Sequence, residues 1–267
     1  MIVDYHTHSS LCKHATGTVE DYVRKAIERG FDEIGVSDHI PMPPAFDERH
    51  RMSLDEYYSI YAPQVGNATE RFGSRIRVRR GIEADFFEGT QEWVAGFVKE
   101  NDFDYVIGSI HFLGTWGVDD PIFVHRYEEK DVDRIYEEYF RTVQRAARSG
   151  LFDIVAHCDL VKKFGYRPTH IMDDLLREVL GEIKNSDLCL EINTSGLYKP
   201  VREVYPSEFI LSIASDLRIP LTLGSDAHAP EEVGRDFDVA IELIERYGRG
   251  TIAVFEKRQR REVGVKK

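Results

Sequence analysis

The sequence predicts an α/β protein built as one closed or nearly closed barrel of parallel strands. Three observations carry this expectation. Short apolar runs alternate with amphipathic helical stretches seven times, with a weaker eighth run near the end. The length, 267 residues, suits a single barrel domain. In six of the runs a histidine or carboxylate stands at the C-terminal end: His6 and His8, His39, Glu83, His111, His157, and Asp226 with His228. Parallel barrel strands deliver these ends to one face, where barrel enzymes do their chemistry. Histidines placed for purely structural reasons would have no cause to collect there.

Taken in order, residues 2–5 read as a short buried strand, and His6 and His8 follow two residues apart. Side chains two apart in extended chain share a side, so both imidazoles can reach one cation. His14 follows in a polar loop. Thr18 and Asp21 start a helix with an apolar stripe of Val19, Tyr22, Val23, Ala26 and Ile27, and Gly30 ends it. A second strand over 33–36 leads to Asp38 and His39, and Pro41, Pro43 and Pro44 mark a loop. Ser53 and Glu56 have capping-box spacing and open a helix toward Phe72, with a kink expected at Pro63. A strand over 76–82 precedes Glu83, a helix spans 90–99, and the apolar run 105–110 leads to His111. The pattern then gives a helix over 131–148, a strand before His157, a helix over 173–185 and a strand over 188–192. Helix over 206–217, strand over 220–225, helix over 230–247 and a weak strand over 251–255 complete the series. One domain is expected over 1–255, and the charged stretch 256–267 reads as a solvated tail.

Composition narrows the class. Apolar residues make up 42% and charged residues 31%, as in an ordinary globular chain. A formal charge of -12 argues against nucleic acid or an anionic membrane as partner, while a metal cluster could still draw a small anion. Cys12, Cys158 and Cys189 are odd in number and scattered, which fits a reducing compartment. No leader or membrane span is evident, so a soluble, cytoplasmic protein is expected.

The motifs His-Thr-His at 6–8, Ser-Asp-His at 37–39, Gly-Ile-Glu at 81–83, Gly-Ser-Ile-His at 108–111 and Gly-Ser-Asp-Ala-His at 224–228 resemble the polymerase and histidinol phosphatase (PHP) superfamily. The stretches 11–15, 38–43, 83–86, 104–111 and 191–196 resemble its monofunctional histidinol-phosphatase branch. The resemblance implies a distorted (β/α)7 barrel with three divalent ions, zinc, iron or manganese. It places one ion on His6, His8, Glu83 and Asp226, a second on Glu83, His111 and His157, and a third on His14, His39 and His228. The implied activity is hydrolysis of L-histidinol phosphate in histidine biosynthesis. Metal-bound hydroxide is the nucleophile, supported by Glu83, Asp226 and His228, and no general acid is assigned.

The chemistry is physically coherent. Phosphate monoesters hydrolyse very slowly, so a large barrier reduction is needed. Paired ions about 3.5–4 Å apart can hold phosphate oxygens and an activated water in line. Lys162, Lys163, Arg202 and Ser195, on loops beyond two strands, are candidates to hold the phosphate, and Asp85 to receive an amine or orient a ligand. Solvated surface roles stand as the alternative for each cation, and a loop cap for Asp85. Asp38 is a candidate partner of a ligand, and His50, His125 and His170 are expected to face solvent. Rival readings are a phosphoesterase acting on nucleotides or other small phosphomonoesters, an amidohydrolase, and a non-catalytic nucleic-acid accessory domain. A glutamate in place of a bridging lysine disfavours the second; intact ligands and acidic charge disfavour the third.

Overall fold

The computed structural model describes residues 1–44 and 46–266; Ala45, in the proline-marked loop, and Lys267, in the expected tail, lie outside them. Seven parallel strands form the barrel wall in chain order: β1 (Val3–Asp4), β2 (Glu33–Val36), β3 (Arg77–Asp85), β4 (Tyr105–Ser109), β5 (Ile154–Val155), β6 (Cys189–Asn193) and β7 (Leu221–Gly224). The register runs through Ile34 beside Val78, Glu83 beside Ile107, Gly108 beside Val155 and Ile192 beside Leu223. The circle closes where Tyr5 N donates to Leu223 O at 3.1 Å and Thr7 bridges Ala227. Asp4 latches this seam: its carboxylate accepts from Ser225 N at 2.9 Å, Ser225 Oγ at 2.5 Å and Gly234 N at 2.9 Å.

Seven main helices pack outside: α1 (Val19–Glu28), α2 (Ala62–Phe72), α3 (Gln91–Glu100), α4 (Val132–Arg148), α5 (Asp173–Asn185), α6 (Glu208–Asp216) and α7 (Phe237–Tyr247). Their apolar stripes face the wall, as Ile135, Tyr136, Tyr139, Phe140 and Val143 do on α4. Inside the barrel, Tyr105 stacks on Tyr5 at 4.7 Å and fills the space left by Gly35 and Gly81, where any Cβ would overlap its ring.

Four expectations need adjusting. Strand β3 does not stop before Glu83 but runs through it to Asp85, because the ladder to β4 continues through Ser109. The irregularity expected at Pro63 is a π-helical turn over Tyr57–Tyr61 just before it, a wider turn that accommodates a residue with no N–H to give. The last helix is split: a 3-10 turn over Pro230–Glu232 is separated from α7 by Gly234, whose φ of 63° breaks the helix.

The fourth concerns the charged end. Residues expected to be a solvated tail form β9 (Gln259–Gly264), antiparallel to β8 (Thr251–Glu256), and this hairpin covers the N-terminal end of the barrel. Some of its charges are paired while others stay exposed. Arg258 grips Asp153 through Nε at 2.9 Å and Nη2 at 3.1 Å and also donates to Leu151 O. Phe255 N donates to the buried Tyr5 hydroxyl at 3.2 Å. We expect Arg258→Ala to lower unfolding stability by about 1–3 kcal/mol, since it removes a two-point charge-assisted contact. Urea denaturation reads this, and an unchanged midpoint would show the hairpin to be a passive cover.

Candidate metal centre

The C-terminal ends of the strands converge on one cluster. β1 delivers His6 and His8, the turn after β2 delivers His39, β3 carries Glu83, and the segments after β4, β5 and β7 bring His111, His157, and Asp226 with His228. His14 arrives from the loop before α1, with Nδ1 held by Cys12 O at 2.8 Å. Glu83 sits at the middle, 1% exposed. One oxygen lies 3.4 Å from His6 Nε2, 3.3 Å from His157 Nε2 and 3.7 Å from His111 Nε2. The other lies 2.8 Å from His39 Nδ1 and 3.5 Å from His8 Nε2. Asp226 Oδ1 is 3.2 Å from His8 Nε2, and His14 and His228 face each other through Nε2 at 3.0 Å.

These atoms fit cations better than they fit one another. His6 Nε2, both ring nitrogens of His8, His39 Nδ1 and Glu83 Oε2 are buried without a hydrogen-bond partner among the described residues. Such orphaned groups are costly unless something satisfies them. Ligands about 2.0–2.2 Å from a metal ion stand roughly 3–3.6 Å apart, which is the spacing seen across this cluster. Imidazole nitrogen with carboxylate oxygen suits zinc, iron or manganese. Donor atoms gather as His6–Glu83–His157, His6–His8–Asp226 and His8–His39–His228. Cys12 also lies near His14 and His228, and burial and the Asp38 charge push its thiol up to about 12.

The charge balance agrees. Burial opposes ionisation of Glu83, yet His39, His6 and His111 hold it well below the usual carboxylate range. Burial likewise opposes charge on His8, but Asp226, Asp38 and Glu83 raise it to about 9; for His111 burial is overcome by Asp85 and Glu83, again to about 9. His228 is lowered to about 3 by burial and by His8. Protons on His8 and His111 thus compensate the carboxylates while His39 and His228 stay neutral, so a cation entering beside the raised pair would displace protons.

A second layer orients these groups. Glu191 accepts from His6 Nδ1 at 2.6 Å and from His157 N at 2.9 Å; Asp85 meets His111 Nδ1 at 2.8 Å; Ser109 Oγ donates to Glu83 Oε1; Ser195 Oγ donates to Asp226 Oδ2 at 3.2 Å. Asp38, expected to support a ligand, lies 3.6 Å from His8 Nδ1 and binds Ser9.

The cluster floors a cleft of about 390 Å³. The expected phosphate-holding residues divide here. Lys163 and Ser195 line the cleft, although Lys163 is tied to Asp119 at 3.0 Å. Lys162 does not reach it: the 3-10 turn Leu160–Lys162 turns it inward, 2.8 Å from both Asp159 Oδ2 and Val204 O. Arg202 is exposed and turned to Leu197 O. Asp85 is buried between His111 and Arg51, not free for an amine. His50, expected in solvent, lines the cleft with Nδ1 2.8 Å from Asp47. Sequence reasoning also missed Arg49 and Arg51, brought in by the proline-marked loop, Asp119, brought in by the turn after the hairpin Phe112–Gly117, and Lys199, which follows the 3-10 turn Ser195–Tyr198. The basic, proline-rich character of residues 41–51 was a signal for Arg49 and Arg51 alone.

The profile of the PHP domain matches residues 4–195. The chain is 41% identical to the "probable histidinol-phosphatase" of Deinococcus radiodurans, with 94% of this chain and 95% of that protein covered. It is 26% identical to the histidinol-phosphatase of Bacillus subtilis, covering 90% and 98%. Among solved structures, the histidinol phosphate phosphatase of Lactococcus lactis, complexed with zinc, L-histidinol and phosphate, superimposes with a TM-score of 0.82 at 24% identity, over 97% of this chain and 98% of that one.

Proposed function

The chain belongs to the PHP domain family, and on that premise we propose that it hydrolyses L-histidinol phosphate to L-histidinol and inorganic phosphate in histidine biosynthesis. One observation carries the reaction class: a buried glutamate within 3.7 Å of five imidazole nitrogens, with unpartnered donor atoms around it, at the floor of an open cleft. The substrate rests on the relatives' names.

In this reading His6, His8, Glu83 and Asp226 would hold one divalent ion, Glu83, His111 and His157 a second, and His14, His39 and His228 a third, drawn from zinc, iron or manganese. Such ions supply an acidified water and neutralise phosphoryl charge. The chain's own contribution is placement. Glu83 is fixed by Ser109, His6 by Glu191 and Asp226 by Ser195, so the charged floor needs no reorganisation when a phosphate dianion arrives. Asp226 and His228 sit on one short turn, linked by His228 Nδ1 to Asp226 O at 2.9 Å, which sets the ring. Phe112 and Phe123 give the wall of the cleft an apolar side, against which the organic part of a phosphomonoester would lie. Unpaired cysteines fit a cytoplasmic enzyme, and among the described residues no helix is long and apolar enough to cross a membrane.

The test is phosphate release from L-histidinol phosphate beside nucleotides and sugar phosphates, using enzyme assayed for metal. Strong preference for histidinol phosphate is expected, with activity and several degrees of thermal stability lost to a chelator and restored by zinc or manganese. Turnover of nucleotides instead would keep the reaction class and reject the substrate. No turnover by metal-loaded enzyme would reject both.

A further inference from the structure

Among the described residues, four lysine and arginine side chains line the cleft, and three of them are more exposed than the fourth. Arg49 is largely exposed and 3.9 Å from Asp120; Lys163 is bound to Asp119; Lys199 stands on a surface turn. Arg51 is different. Its side chain is only 4% exposed, yet it borders the cleft, and Asp85 holds Nη2 in an ion pair at 2.5 Å. The Phe46 ring lies under the guanidinium at 5.6 Å, and Asp47 Oδ2 is 3.7 Å from Nε, beyond hydrogen-bond reach. Among the described residues, Nε and Nη1, three N–H donors between them, have no hydrogen-bond partner.

A buried guanidinium in that condition is expensive unless a ligand completes it, because each unmet donor forfeits its solvation. The ion pair to Asp85 does not complete it, since a carboxylate at Nη2 leaves the remaining N–H groups free. The same Asp85 touches His111 through its other oxygen, so the guanidinium is coupled in position to the floor of the cleft. The geometry points to Arg51 as a residue that binds the phosphoryl oxygens of the substrate, an oxyanion being the ligand whose charge and acceptors match what Arg51 lacks. This rests on the phosphatase reading above. Shielding from bulk water makes a charge-assisted hydrogen bond there worth more than at the rim, and explains a fixed arginine in place of a flexible lysine.

The experiment measures inorganic phosphate binding to metal-loaded enzyme by calorimetry, together with kcat and KM, for wild type, Arg51→Lys and Arg51→Gln. Metal content and melting temperature are recorded for each. With metals retained, Arg51→Gln is expected to weaken phosphate binding about 10-fold or more and cut kcat/KM by about 10–100-fold, with L-histidinol inhibition unchanged. Arg51→Lys, which keeps the charge that Asp85 requires, is expected to recover part of the phosphate affinity. If Arg51→Gln disturbs folding, the lysine variant alone decides, because its loss must appear in phosphate affinity and not in histidinol inhibition. Unaltered phosphate affinity in a metal-loaded, folded variant overturns the assignment and leaves Arg51 as a loop anchor. If instead the metal-loaded wild type binds phosphate but turns over only other phosphomonoesters, the substrate reading fails while the Arg51 comparison still stands. A wild type that neither binds phosphate nor hydrolyses anything overturns both.

Discussion

Glu83→Ala is expected to abolish phosphate release, by a factor of about 10³ or more, and to strip the enzyme of metal. The reason lies in how many groups depend on one carboxylate. Glu83 spans the cluster, with one oxygen serving His6, His111 and His157 and the other His8 and His39. Without it, the two cation positions proposed to share it would lose their anionic ligand together, and the histidines that its charge favours lose their compensation. Glu83→Gln separates the parts of this effect. It keeps the volume and one acceptor but removes the charge, so it should fold better than the alanine variant while remaining inactive. Metal analysis by mass spectrometry, phosphate release and a thermal melt decide the matter. An alanine variant that retained its ions and a tenth of its activity would mean that Glu83 is a packing residue and the metals lie elsewhere.

The position of Glu83 also shows what the sequence made legible. A barrel strand ending on a ligand type is a local pattern, repeated at His6, His39, Glu83, His111, His157 and Asp226, and the fold follows from the alternation that carries it. What local patterns could not fix is orientation. Lys162 and Lys163 are neighbours with the same chemistry, and a single 3-10 turn decides that one is buried on Asp159 and the other faces the cleft. The loop after His39 was readable as irregular from its prolines, but not as folding back to place His50 and Arg51 beside the cluster, since the long-range contact of Arg51 with Asp85 sets that path. The end of the chain misled for a related reason. A run rich in arginine and glutamate reads as solvated, yet here the charges meet partners far away in sequence, Asp153 for Arg258 and Asp187 for Arg260.

Glu191 is the larger omission, and its replacement is the second large effect expected. It lies in β6, 1% exposed, in a stretch whose family resemblance was visible while its role was not. Its two oxygens do different jobs: one receives His6 Nδ1 at 2.6 Å, the other His157 N at 2.9 Å and Asn193 Nδ2 at 3.0 Å. A carboxylate has only acceptors to offer, so it keeps a proton on His6 Nδ1, and Nε2, which faces Glu83 and Asp226, is the nitrogen a cation would take. In Glu191→Gln the amide must place its single oxygen toward the backbone N–H of His157, which cannot reverse, and present its NH₂ to His6. That favours the other tautomer, with the proton on the nitrogen meant for the metal. The expected result is a loss of about 10–100-fold in metal affinity, measured by competition with a chromogenic chelator. Activity should fall at limiting metal and recover largely at excess, a dependence that simple misfolding would not produce. Gly224 tests the same contact from behind, because a Cβ there would overlap Glu191 Oε1 and the His6 side chain. Gly224→Ala should therefore weaken metal binding in the same direction while leaving Glu83 in place. Full metal affinity in both variants would show that His6 is held by its strand alone, and that Glu191 serves the backbone of His157.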